Sequence, residues 1–148
     1  MAFISISITK NHPLILGKGG FGRQLADWLS AEGWGEAEFL DDSAPGCVGG
    51  LRDYADPKLL KPGRPAFVAL GDNALRVELL QKLAAAGYDT PVFISDMAAV
   101  SPSAVLEPGC VILPQAYVGA DAHLGVGCIV NGGAIVDHDA VLGRGVHV

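Results

Sequence analysis

The chain has few basic residues, a low share of charged residues and no long apolar run. Ten lysines and arginines stand against sixteen aspartates and glutamates, so the 148 residues carry a formal net charge of −6. This balance argues against nucleic acid or an anionic membrane surface as the main partner, because both select basic surfaces. No stretch approaches a membrane span, and the first residues lack the charged-then-apolar layout of a secretory signal. We therefore expect a cytoplasmic protein that does not insert into a membrane.

Cysteine is also scarce, and only Cys47, Cys110 and Cys128 are present. Their number is odd and their spacing is not that of a metal-binding knuckle. We expect buried free thiols of a reducing compartment and no bound metal. Half of the residues are hydrophobic, which is enough apolar material for a buried core.

Up to residue 95, short apolar runs alternate with segments of helical spacing. Strands are predicted at residues 14–16, 38–40, 66–71 and 91–95, and helices at 23–29 and 73–86. This alternation indicates a small α/β layer with a parallel sheet. Residues 3–8 alternate large apolar residues with serine, which predicts a short strand or an ordered arm.

A glycine-rich loop lies between the first strand and the first helix. Gly17, Gly19 and Gly22 have the G-x-G-x-x-G spacing of dinucleotide-binding loops, in which glycine lets the backbone approach a pyrophosphate at a helix N-terminus. Asp41 follows about twenty residues later, where such sites place a ribose-binding carboxylate. The loop predicts a nucleotide ligand, NAD(P) or another, although glycines in a tight strand–helix turn also serve packing alone.

From Val100 onward the sequence repeats every six residues. The fifth place of each hexad is small or valine, and the first place is aliphatic throughout: Val100, Leu106, Ile112, Val118, Leu124, Val130, Val136, Leu142 and Val148. This period fits neither a helix nor an ordinary strand. It predicts short strands separated by corners, three of which close a triangular coil of eighteen residues. Stacked coils pair in parallel at about 4.8 Å, so Cys110 and Cys128 should share one interior column.

His138 occupies the third place of its hexad, which faces outward from such a coil. Asp137 and Asp139 flank it, and a carboxylate there can hold the tautomer of the ring. A neutral imidazole near pH 7 is suited to remove a proton from an amine or hydroxyl, although a solvent-exposed histidine at a corner is the simpler interpretation. His147 follows half a coil later and therefore cannot stack above His138 on the same face.

Four segments occur in an order that is typical of one family. They are the glycine loop at 17–23, the FLDD segment with Asp41 and Asp42, the GDNALR segment at 71–76, and the run at 131–147. In this order they resemble the hexapeptide-repeat acyltransferases, and more narrowly the sugar acetyltransferases typified by bacterial PglD and NeuD. The resemblance implies a role in glycan or polysaccharide biosynthesis, with acetyl-CoA as co-substrate.

The resemblance also implies a domain organisation. An N-terminal Rossmann-like domain that binds a nucleotide sugar is expected over residues 1–96. A left-handed parallel β-helix that carries the acyltransferase function is expected over residues 97–148, and because relatives continue through further coils, we expect it to be truncated at Val148. The family implies a homotrimer of β-helices with acetyl-CoA in the groove between neighbouring subunits.

Individual residues receive roles from the same resemblance. His138 is implied as the catalytic base and Asp139 as the carboxylate beside it, while His147 and Asn131 are implied as acetyl-CoA contacts. Contacts to the nucleotide sugar are implied for Gly17, Gly19, Gly20, Phe21, Gly22, Asp41, Asp42 and Asn73. Phe21 departs from the pattern because some members carry histidine there. Asn73 also has a simpler interpretation, as part of a helix cap with Asp72.

The sequence therefore predicts an enzyme that moves acetyl from acetyl-CoA to an amino or hydroxyl group of a nucleotide-linked sugar. Attack is expected to be direct, with His138 as general base, because Cys110 and Cys128 are predicted to face inward. Two alternatives stay open. One is a noncatalytic trimeric β-helix scaffold, and the other is an NAD(P)- or nucleotide-binding module, which the glycine loop alone favours.

Overall fold

A three-stranded parallel sheet forms the N-terminal part of the molecule. In this computed structural model, which describes residues 12–148, the strands are β1 (Leu14–Leu16), β2 (Glu38–Leu40) and β3 (Ala66–Val68). They lie in the order β2-β1-β3, and both pairings are parallel, as the alternation of strands and helices predicts. The strand or arm predicted at residues 3–8 lies outside the described residues.

Two helices cover this sheet. Helix α1 (Gly20–Ala31) begins inside the glycine loop, and helix α2 (Asn73–Ala86) has the predicted bounds. Asp72 caps α2, since its Oδ1 accepts a hydrogen bond from the Leu75 N–H at 2.9 Å. Gly87 ends this helix with φ +107°, a left-handed conformation that glycine adopts without strain. Neither helix of residues 12–148 is long and apolar enough to cross a bilayer.

The hexads form a stack of triangular coils. Their nine strands form three parallel sheets, which we call the first face (β4, β7, β10), the second face (β5, β8, β11) and the third face (β6, β9, β12). Each pairing joins residues eighteen apart, as the repeat predicts. In chain order the strands are Phe93–Ile94, Ala99–Val100, Val105–Leu106, Val111–Ile112, Tyr117–Val118, His123–Leu124, Ile129–Val130, Ile135–Val136 and Val141–Leu142. This stacking is consistent with the left-handed β-helix of hexapeptide-repeat proteins.

The interior of the prism consists of the first and fifth places of the hexads. Every such residue from Val100 to Val146 belongs to one apolar cluster. Cys110 and Cys128 lie fully buried in one column. Each thiol donates to a backbone carbonyl at the same corner of the next coil, that of Gly125 and that of Gly143 respectively. The prediction of buried free thiols is confirmed for these two, whereas Cys47 is only half-buried in a surface loop.

Strand β4 corrects the sequence interpretation. Residues 91–95 were expected to extend the N-terminal sheet, but Phe93 pairs with Val111 of the first face. The repeat therefore starts one hexad before Val100, and Ile94 and Ala98 already occupy an aliphatic first and a small fifth place. The division of the chain between residues 96 and 97 stays a prediction.

The N-terminal layer packs on the outer side of the first face. Phe93, Val111 and Ile129 form an outward column there that is buried against Leu25 and Leu29 of α1. The corner between the third and first faces packs against α2 through three glycines eighteen residues apart, Gly109, Gly127 and Gly145. A Cβ at Gly127 would lie 2.7 Å from a methyl carbon of Leu80, so the helix approaches as closely as glycine allows.

Arg76 of α2 links the two parts by hydrogen bonds. Its Nε donates to the Gly127 carbonyl at 2.8 Å, and its Nη2 donates to the Gly145 carbonyl at 2.6 Å. Its Nη1 donates to the Leu70 carbonyl at 2.7 Å, just beyond β3. The helix, two successive coils and the end of the sheet therefore meet at one guanidinium group.

We expect Gly22→Ala to destabilise the protein by about 1–3 kcal/mol. A Cβ at Gly22 would lie 1.9 Å from the Gly17 carbonyl oxygen, so α1 or the preceding turn must shift. The measurement is the free energy of unfolding in urea. Gly20→Ala is the control, because no atom lies within 4 Å of its added Cβ, and a helical alanine stabilises by up to about 1 kcal/mol. Equal effects of the two substitutions would contradict this packing.

Candidate functional site

The glycine loop lies at the carboxyl edge of the N-terminal sheet, between β1 and α1. Gly17 has φ +100°, and Gly19 occupies the N-cap of α1 without a side-chain hydrogen bond. The first N–H groups of a helix have no partners within it and attract anions. Ligands of open parallel sheets bind beyond the carboxyl ends of the strands. The arrangement is thus suited to hold a phosphate at this edge.

Asp41 fixes the glycine loop to the end of β2. Its Oδ2 accepts the Lys18 N–H at 2.8 Å, and its Oδ1 accepts the N–H groups of Ser43 and Ala44, both at 2.9 Å. These hydrogen bonds lower the pKa of the carboxyl to about 2, with the Lys18 N–H making the largest contribution. The carboxylate is therefore occupied by backbone donors, while Asp42 beside it is exposed and accepts a hydrogen bond from the Leu51 N–H at 2.9 Å.

His147 lies beside the glycine loop. It continues the outward column of the first face through a bridge with Ile129, and its ring centroid lies 6.4 Å from that of Phe21. Burial, and then the positive charge of Arg76, lower the pKa of His147 below the ordinary histidine value. Asn73 belongs to the same region, where its Oδ1 accepts a hydrogen bond from Arg76 Nη2 at 2.8 Å.

His138 lies at the corner between the second and third faces. Its Nδ1 lies 2.6 Å from Asp139 Oδ2, and the His138 N–H donates to Asp137 Oδ1 at 2.8 Å. The Asp139 backbone has φ +58°, a left-handed conformation that Asp tolerates better than most residues and that accompanies this pairing. The hydrogen bond to Asp139 contributes most to raising the pKa of His138, and the charge of Asp137 contributes next. The imidazole is 68% exposed, so it faces outward as predicted.

Gly119 is a supporting residue that the sequence reading missed. A Cβ at this position would lie 2.5 Å from the His138 backbone nitrogen, because the coil below passes directly under the His138 corner. The repeat itself could have identified Gly119, because it lies eighteen residues, or one coil, before Asp137 and therefore under the His138 corner. Any side chain there would displace the backbone that carries the imidazole.

The structure divides the predicted site residues into separate groups. The glycine loop, Asp41, Asp42, Asn73 and His147 gather at the carboxyl edge of the N-terminal sheet. His138 and Asp139 lie at the corner opposite the first face, on which the N-terminal layer packs. Asn131 lies exposed at a third corner, where its Oδ1 accepts the Gly132 N–H at 2.9 Å. One chain therefore does not bring His138 to its own glycine loop.

Comparison with known proteins gives the family. The model of the PglD N-terminal domain matches residues 14–83. The acetyltransferase domain of PglB from Neisseria gonorrhoeae, in complex with acetyl coenzyme A, is 37% identical with a TM-score of 0.81, over 92% of this chain and 69% of that one. This chain belongs to the hexapeptide-repeat sugar acetyltransferases of the PglD and PglB type. The predicted family and the predicted acyltransferase are thereby confirmed.

Other solved structures agree with this family. PerB from Caulobacter crescentus, in complex with CoA and GDP-perosamine, is 32% identical to this sugar acetyltransferase with a TM-score of 0.82, over 92% of this chain and 67% of that one. WeeI from Acinetobacter baumannii is 16% identical with a TM-score of 0.53, over 93% of each chain, and shows a related fold only. A comparison with curated protein sequences finds no match. Within residues 12–148 the acetyltransferase has no group of three His, Cys, Asp or Glu side chains placed to hold a metal ion.

We expect Asp139→Asn to lower the pKa of His138 while leaving the corner intact. Asparagine tolerates the left-handed conformation but removes the negative charge that stabilises the imidazolium. Asp121→Asn is the matched control, since Asp121 has φ +57° at the same corner one coil earlier. The pKa of His138 is measured by NMR titration. An equal shift from both substitutions would show that the Asp139 pairing does not set this pKa.

Proposed function

We propose that this sugar acetyltransferase moves the acetyl group of acetyl-CoA to an amino or hydroxyl group of a nucleotide-linked sugar, with His138 as general base. The observation that carries the proposal is the exposed His138–Asp139 pair at a corner of the β-helix. The PglB structure in complex with acetyl coenzyme A and the PerB structure in complex with CoA and GDP-perosamine support the two substrate classes.

The His138–Asp139 pair is suited to base catalysis. With its proton on Nδ1 and shared with Asp139, the neutral ring presents the lone pair of Nε2 to solvent. Nε2 accepts the proton of the attacking amine or hydroxyl as that group bonds to the thioester carbonyl carbon. The carbon–sulfur bond then breaks, and the imidazolium gives this proton to the departing sulfur, so that CoA leaves as a thiol. Asp139 stabilises the imidazolium that forms. Because the pairing raises the pKa of His138, activity rises with pH through that raised value.

The transfer is direct in this mechanism. An acyl-enzyme needs an accessible nucleophile, but Cys110 and Cys128 lie fully buried inside the prism. Their thiols donate to carbonyl oxygens of the corners. Cys47 is only half-buried but lies in a loop of the N-terminal layer, away from the His138 corner. In the proposed mechanism the acceptor itself is the nucleophile.

The acceptor is held by the N-terminal layer, which we interpret as a Rossmann-like domain that ends before β4. The glycine loop and the start of α1 bind the phosphates, and Asp42 lies at the same edge with an exposed carboxylate. In a dinucleotide site Asp41 would bind the ribose, but backbone N–H groups already take three of the roughly four acceptor positions of its carboxylate. This occupancy favours a nucleotide sugar over NAD(P) as the ligand.

A homotrimer resolves the separation between His138 and the glycine loop. The second and third faces expose apolar side chains, with Ile135 70% and Val141 79% exposed, beside Tyr117 and Val105. Exposed apolar columns of this kind mark surfaces that associate. Contact between copies of the left-handed β-helix brings the His138 corner of one subunit to the N-terminal domain of another. We place this reaction in glycan biosynthesis in the cytoplasm.

A panel of nucleotide amino sugars with acetyl-CoA, followed by the release of free thiol, tests the activity. We expect His138→Ala to lower kcat by about 10²- to 10⁴-fold, the usual contribution of a general base. His12→Ala is the control, because His12 is also an exposed histidine but lies at the amino edge of the N-terminal sheet, away from the second and third faces. Full activity of the His138 variant would leave only a scaffold role for the corner.

Mixed oligomers test the source of the two half-sites. Gly20→Trp places a large side chain in the glycine loop, at a position where a Cβ meets nothing within 4 Å, and should block acceptor binding; its free energy of unfolding is measured to check that the chain stays folded. Each of Gly20→Trp and His138→Ala alone should be inactive. Co-expression of the two should restore measurable transfer, since some sites combine an intact loop with an intact base. Inactivity of mixed oligomers would show that both half-sites must come from one chain.

A further inference from the structure

Lys18 is a basic residue of the glycine loop, and its side chain reaches across to the loop that follows β2. We call residues 43–48 the β2 loop. The ammonium of Lys18 donates to the Pro45 carbonyl of this loop at 2.7 Å, and it lies 5.3 Å from the centre of the Phe39 ring in β2. In phosphate-binding loops of the P-loop type, a lysine reaches the phosphates of the ligand. The ammonium of Lys18 instead contacts protein groups on β2 and on the β2 loop.

The backbone of Lys18 bonds the same segment of the chain as its side chain does. The Lys18 N–H donates to Asp41 Oδ2 at 2.8 Å, at the carboxyl end of β2, while Nζ bonds Pro45, four residues further along the chain. The β2 loop then turns back along β2, since the Val48 N–H donates to the Phe39 carbonyl at 2.9 Å. One residue of the glycine loop therefore holds both the end of β2 and the tip of the β2 loop.

Gly46 shows how closely the tip of the β2 loop approaches the Lys18 ammonium. A Cβ at Gly46 would lie 3.0 Å from Lys18 Nζ, which is closer than ordinary van der Waals contact. Gly46 also has φ +72°, a left-handed conformation that glycine adopts without strain. Glycine at this position therefore leaves the space that the ammonium occupies.

The crevice between the glycine loop and the β2 loop is where this fold places a ligand. Strand β1 lies at the centre of the sheet with β2 beside it, and ligands of such sheets bind beyond the carboxyl ends of the strands. Under the proposed function the glycine loop binds the phosphates, so the nucleoside part of the acceptor lies along the β2 loop. A loop that is already fixed before binding loses less conformational freedom when the ligand arrives.

We propose that Lys18 is a positioning residue that fastens the β2 loop to the glycine loop and so preforms the crevice for the nucleoside part of the acceptor. This inference rests on the proposed function. Lys18 acts through the β2 loop and does not itself bind the ligand. Exposed charged contacts contribute little to global stability, so removing the ammonium should loosen the β2 loop while the rest of the chain stays folded.

Two variants of the full chain, Lys18→Met and Lys18→Arg, test the proposal, with Lys82→Met as the matched control. The ammonium of Lys82 is also engaged, 2.9 Å from Glu78 Oε1, but it lies on α2. Without any ligand, hydrogen exchange of residues 43–48 should become about tenfold faster in Lys18→Met and stay unchanged in Lys82→Met. Arginine also donates to carbonyls and stacks on aromatic rings, so Lys18→Arg should keep the slow exchange. Mass spectrometry of the peptides measures these rates.

The same variants are assayed with acetyl-CoA and the nucleotide sugar that the panel identifies. Lys18→Met should raise the KM for the nucleotide sugar about tenfold and leave kcat and the KM for acetyl-CoA unchanged, because it removes binding that is equal in the ground and transition states. The proposal is wrong if exchange of residues 43–48 is unchanged in Lys18→Met; a raised KM would then assign Lys18 to the phosphates. Faster exchange with an unchanged KM for the nucleotide sugar also overturns it. If the unsubstituted chain transfers no acetyl group to any sugar, the proposed function fails, whereas the exchange rates still decide whether Lys18 holds the β2 loop.

Discussion

Backbone hydrogen bonds between residues eighteen apart determine the direction of every side chain in the β-helix. Because the coils keep this register from Phe93 to the bridge at His147, each place in the hexad has one environment: interior, corner or outer face. The register directs Val111 and Ile129 to the N-terminal layer and His138 to the opposite corner. A one-residue shift of a strand against its neighbours would exchange the interior and exterior residues of that strand, so the stacking constrains the site as strictly as it constrains the core.

The attachment of the N-terminal layer depends on close backbone approach. Gly109, Gly127 and Gly145 all have φ near +70° to +75°, and a Cβ on any of them would lie under 3.0 Å from atoms of α2. This closeness lets the Arg76 guanidinium reach two corner carbonyls that otherwise face solvent. The hydrogen bonds of Arg76 and the close approach of α2 to the three glycines thus act at the same corner. Together they fix the angle at which the glycine loop meets the first face. His147 lies beside the loop as a result.

Periodic features were predictable from the sequence, and long-range contacts were not. The hexads gave the coils, the interior column of Cys110 and Cys128 and the outward direction of His138, because a repeat reports one environment many times. Strand β4 was misassigned because an isolated apolar run does not identify its partner. The Arg76 bonds span 51 and 69 residues, and no local pattern encodes them. The backbone N–H groups that bond Asp41 could not be predicted for the same reason, since they depend on the conformation of the glycine loop and of the loop after β2.

The two histidines show how one β-helix gives the same side chain opposite properties. His138 projects into solvent beside Asp137 and Asp139, so its charged form is stabilised and its pKa rises. His147 is partly buried against Phe21 and lies near the Arg76 guanidinium. Burial, and then this positive charge, disfavour the charged form of His147, so its pKa falls. Environments that separate the pKa values of two groups are how a site assigns different roles to them. The first imidazole is suited to take up a proton and the second to stay neutral, and this difference follows from which face of the prism each residue occupies.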